Sequence, residues 1–71
     1  MSEELRDKVV IQKVDDNYVI GIPGMMVSPT YCLAGPDGEW YVKTANGKVP
    51  LPFITLEAAK EAAVNYYLDQ L

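Results

Sequence analysis

The sequence predicts an α+β domain: an antiparallel β-meander of three to five strands, packed on one face by a single C-terminal α-helix. Three observations point to it. Short β-branched and aromatic runs recur through residues 8–54, separated by Asp, Asn, Gly and Pro turns. A segment rich in alanine and free of glycine and proline closes the chain at 55–71. At 71 residues there is room for one domain only.

Residues 1–7 are charged and predict a turn of helix capped by Ser2, or a frayed end. Val9 to Val14 is short and β-branched, which predicts a first strand. Asp15-Asp16-Asn17 predicts a turn, because these side chains bond their own backbone and tolerate left-handed angles. Tyr18 to Ile22 completes a first hairpin, ended by Pro23-Gly24. Met25-Met26-Val27-Ser28-Pro29 reads as a loop, and Thr30 to Ala34 as a third strand. Gly35-Pro36-Asp37-Gly38 is a strong turn, and Glu39 to Thr44 a fourth strand. Asn46-Gly47 predicts a type I′ hairpin turn. Lys48 to Ile54 is extended but holds two prolines that cannot donate to a ladder, so it is expected as an edge strand or an ordered connection. Its Val49, Leu51 and Phe53 are expected on one face. Thr55 is the expected cap of a helix from Leu56 to about Gln70, with Glu57 near the positive end of its dipole.

The chemical inventory is thin. There is no histidine, one cysteine (Cys32) and no glycine-rich phosphate loop. Metal sites, nucleophilic triads and general-base constellations need at least one of these parts. Cys32 lies mid-strand with no base beside it and is expected to be a buried, inert thiol. Asp15, Asp16 and Asp37 are each explained by turn chemistry, and the alternating pattern of a calcium loop is missing. Neither catalysis nor a cofactor or metal is expected. The charged N-terminus does not resemble a signal peptide, and no segment approaches the ~20 apolar residues that span a bilayer. A cytoplasmic location with reduced Cys32 follows as the expectation.

What remains is binding. A chain this short buries only about 60% of its unfolded surface, and with neither disulfide nor zinc to help, self-association is the remaining support. Along the C-terminal helix Leu56, Ala59, Ala63, Tyr66 and Tyr67 share the side expected to cover the sheet. Val64, Leu68 and Leu71 widen that arc, which predicts a homodimer contact, or a cover supplied by the N-terminal segment through Leu5. Glu57, Glu61, Asn65 and Asp69 follow at i+4 and form an acidic ridge suited to a basic partner surface. Met25, Met26 and Val27 are three apolar residues in a loop: an adaptable protein-binding tip if exposed, a core plug if folded inward. Tyr41 and Lys43, with Lys13 and Tyr31 depending on register, are expected on the open sheet face. There an aromatic beside lysine can stack a base and neutralise a phosphate. The net charge of −4, from ten acidic and six basic residues, weighs against nucleic acid.

The order of strands followed by one C-terminal helix is similar to that of several small DNA-binding and phage-type accessory domains. The similarity lies in topology and carries no matched residues. The function expected from the residues is a non-catalytic protein-interaction module, an inhibitor or adaptor that occludes a partner protein. A nucleic-acid-binding sheet face is the alternative.

Overall fold

The computed structural model describes residues 2–71, with side chains from Glu4 onward. The Ser2 side chain, expected as a cap, therefore lies outside the described residues. The elements run α1 (Ser2–Arg6), β1 (Val10–Val14), β2 (Asn17–Gly21), β3 (Thr30–Ala34), β4 (Trp40–Thr44), β5 (Gly47–Lys48) and α2 (Leu56–Asp69). All five strands join one antiparallel sheet in chain order, β1-β2-β3-β4-β5. The α+β meander with one C-terminal helix is thus the observed fold.

Register sorts the side chains onto two faces, because directly paired residues point the same way. Tyr18, Cys32 and Val42 form one row, and Ile20 and Thr30 the next. These residues face α2, whose Ala59, Ala63, Val64 and Tyr67 are buried against them. The alanines keep the helix close to the sheet. Burying Ile20 and Val42 contributes roughly 1.5–3 kcal/mol each. Tyr18 meets Trp40 edge-on at 5.8 Å, and the Lys60 ammonium stands 4.6 Å over the Tyr18 ring. Thr55 caps the helix as expected, its hydroxyl accepting the Ala58 N–H at 3.2 Å.

Helix α2 packs on β2, β3, β4 and α1, and β1 touches β2 alone. All five residues of β1 are exposed. The strand is therefore held by its backbone ladder and lies beyond the cover of the helix.

Four expectations are corrected. The second hairpin turn is Ala45-Asn46, since Thr44 pairs with Gly47 and Gly47 already belongs to β5. Asn46 does not take a positive φ as a type I′ turn requires; Gly47 does, at +121°. The turn is tied instead by Thr44 Oγ1, which accepts from Asn46 N–H and donates to the Gly47 carbonyl, both at 3.1 Å. After β5 the chain leaves the ladder at Pro50 and rejoins it at Phe53, whose backbone exchanges two bonds with Trp40. Val49 and Phe53 pack toward the core, but Leu51, between the two prolines, turns out to water at 73% exposure. On the helix, Val64 takes the sheet-facing place expected of Tyr66, which is exposed. The sheet twists, so the buried stripe drifts around the helix toward Val64.

The largest fully buried side chain is Tyr67. Its hydroxyl accepts the Ile22 N–H at 3.0 Å and so ties α2 to the end of β2. Tyr67→Phe leaves that donor unpaired and is expected to cost about 1–3 kcal/mol in urea unfolding. Thr30 presents the converse case: its side chain is buried and its hydroxyl has no partner. Thr30→Val keeps the shape, removes the unmet group and is expected to raise the unfolding midpoint; a lower midpoint would show that the hydroxyl is satisfied in solution.

Candidate functional site

The face of the sheet away from α2 carries little that is charged. From the pairing, Val10, Gln12, Val14, Val19, Tyr31, Leu33, Tyr41 and Lys43 lie on it. Such a face in an antiparallel sheet is ordinarily polar. Here six of the eight are Val, Leu or Tyr that only partly shield one another, and Val10 and Val14 remain 40% and 48% exposed.

At one end of this face the 22–29 loop folds beside β1 and β2. Between them lies a groove of about 350 Å³ walled by Val10, Val19, Pro23, Met25, Val27 and the edge of Tyr67. The loop is set by two local features. Gly24 takes φ +87°, and the Met25 N–H donates to the Ile22 carbonyl at 3.2 Å, closing a tight turn. The neighbouring Ile22 N–H is the one held by Tyr67, so a buried side chain anchors the loop from below.

Met25-Met26-Val27 is neither wholly exposed nor wholly folded inward; it divides residue by residue. Val27 folds inward against the core, Met25 is part of the groove wall, and Met26 stands wholly in solvent at 100% exposure. An unsupported methionine at a loop tip leaves its full apolar surface in water.

The other candidates separate. Glu57, Glu61 and Asp69 are exposed along the outer side of α2, as the i+4 spacing requires. The ridge is not purely acidic, because Arg6 of α1 donates to Asn65 Oδ1 in its middle. Of the flank expected to self-associate, Val64 is in the core and Leu68 is half-buried against it; only Leu71 is exposed. Helix α1 packs on α2, with Leu5 half-buried. Tyr41 and Lys43 share the open face with Tyr31, which pairs directly with Lys43. Lys48 adds to them, its ammonium 4.1 Å from the Tyr41 ring centre. Lys13 does not join this set: it pairs with Tyr18 and so points to the helix side. A one-residue parity decides this, and no sequence signal revealed it.

Sequence reasoning missed the apolar character of the open face. The signal was present in residues 9–14, where Val9, Val10, Ile11 and Val14 occupy both parities instead of alternating with polar residues. Among the described residues no group of three or more His, Cys, Asp or Glu could hold a metal, and no helix is long and apolar enough to cross a membrane.

No known family model matches this chain, and none of the curated proteins or solved structures compared with it matches either.

Cys32 is fully buried. Burial pushes its thiol up to about 11, against the pull of the Lys60 charge. Folding thus favours the protonated form. The associated stability is complete below the free thiol's value of 9.0 and is lost as pH rises through about 11. Native protein at pH 8 is expected to resist a thiol reagent until it is unfolded, and Cys32→Ala is expected to flatten the alkaline fall in stability. Rapid labelling of the native chain would contradict the burial.

Proposed function

We propose that this protein is a non-catalytic interaction module that binds another protein and occludes its surface, with the methionine loop and the adjoining groove as the contact. The observation that carries the reading is Met26: fully exposed, at the tip of a loop anchored by Tyr67, beside an apolar groove on an apolar sheet face. A flexible thioether over a firm base suits contact with apolar side chains of varied shape. The acidic ridge of Glu57, Glu61 and Asp69 lies on a different element and favours a basic partner surface nearby.

In capture from a lysate of the native host, the full chain is expected to retain a protein that Met26→Ala loses by about tenfold. The two baits are expected to melt at the same temperature, because Met26 contributes nothing to the core. A retained set unchanged by Met26→Ala, and by Glu57→Gln/Glu61→Gln, would refute the assignment.

A second reading rests on a specific cluster, the open-face row of Tyr31 and Lys43 with Tyr41 under Lys48. It provides two stacking surfaces and two cations for a single strand of nucleic acid. Titration with generic DNA and RNA at low salt tests it: affinity falling steeply with added salt and lost in Lys43→Ala supports it, and absence of binding removes it.

A further inference from the structure

We propose that the exposed edge of β1 pairs antiparallel with β1 of a second copy of this chain, on a two-fold axis at Gln12, to form one continuous ten-stranded sheet. The inference stands on the sheet edge and does not depend on the groove's role.

The two edges of the sheet are treated differently. Beyond β4 the edge is two residues of β5 followed by Pro50 and Pro52, which have no N–H to offer. At the other edge β1 is five residues long, with no proline, glycine or bulge, and consecutive pairing along its whole length. Lys13 is its one guarding charge. Val10, Ile11 and Val14 are each 40–48% exposed on it, and they lie on both faces. A strand of this composition with no second neighbour is a template for another strand.

The free backbone groups can be identified. Trp40 exchanges bonds with Phe53, and the Val49 N–H donates to the Val42 carbonyl, so the even residues of β4 point away from β3. Alternation carried across the register turns Val10, Gln12 and Val14 inward to β2, and Ile11 and Lys13 outward. The Val9 N–H is already taken by the Arg6 carbonyl. Ile11 and Lys13 are therefore the residues of this edge with both donor and acceptor free.

Only one symmetric register uses all of them. Pairing Ile11 with Lys13 of the second copy, and Lys13 with Ile11, satisfies four N–H groups with four carbonyls and puts the axis at Gln12. An axis at Lys13 sets like charges directly opposite. An axis at Ile11 opposes Lys13 to Val9, whose N–H is occupied. In the Gln12 register Val10 meets Val14 on the open face, and the Lys13 stem covers Ile11 on the other. Charge agrees as well: the antiparallel arrangement brings Lys8, before one β1, near the Asp15-Asp16 turn after the other. Val14 of the second copy then borders the groove at Val10, so pairing would join the two open faces.

Cysteine pairing of the full chain tests this. Gln12→Cys places two thiols in a non-hydrogen-bonded pair across the axis, close enough for a disulfide, while Cys32 is buried and does not compete. Val14→Cys places them ~13 Å apart. We expect mild oxidation to give a covalent dimer with Gln12→Cys and monomer with Val14→Cys. We expect wild type to sediment as a dimer, and Lys13→Pro, which removes one outward donor and no internal bond, to sediment as a folded monomer. Wild type that stays monomeric to millimolar concentration overturns the proposal. So does a dimer that survives Lys13→Pro, or equal crosslinking at positions 12 and 14. If Lys13→Pro fails to fold, the cysteine pair decides alone. Met26→Ala leaves the edge untouched, so loss of partner capture in that variant with the dimer intact separates the groove from the edge.

Discussion

One helix cannot cover five strands. Helix α2 has fourteen residues, so it is about 21 Å long and, with side chains, some 10 Å wide. The outermost strands of the sheet are about 20 Å apart. The helix lies on β2, β3 and β4 and leaves β1 bare on both faces, and nothing comparable covers the opposite side of the sheet. The rest of the molecule follows from this shortage of cover. The core is small, with two alanines among its seven buried apolar residues, and much of the remaining apolar surface meets water. That uncovered surface is the distinctive property of the fold.

Tyr67 makes the arrangement rigid where it matters. Its ring fills the end of the core, and its hydroxyl meets the Ile22 N–H where β2 gives way to the methionine loop. A backbone donor at that point would otherwise be partly buried without a partner, which is costly. The loop beyond is therefore presented from a fixed base although Met26 itself touches nothing.

Much of the fold was legible because it is local. β-branched runs, the Asp15-Asp16 turn with its left-handed Asp15, the Gly38 turn and the Thr55 cap each depend on residues within a few positions of one another. The errors arose where local rules compete. Asn46-Gly47 has the composition of a type I′ turn, yet the Thr44 hydroxyl bonds and the pairing of Gly47 shifted the turn by one residue. Leu51 shares a parity with Val49 and Phe53, but the prolines on both sides broke the strand geometry that parity assumes. Of the candidate site, Met26 and the outer ridge of α2 could be read from sequence, and the groove could not.

By itself the sequence determined the order of elements and the helix that closes the sheet, since these depend on composition and short-range spacing. Tertiary structure decided which apolar residues were left over. Val64 went into the core and Val10, Ile11 and Val14 stayed out, although all four are β-branched aliphatic residues. The physical reason is geometric. Burial depends on where a helix of finite width lands on a twisted sheet, and that position is set by packing across the whole chain.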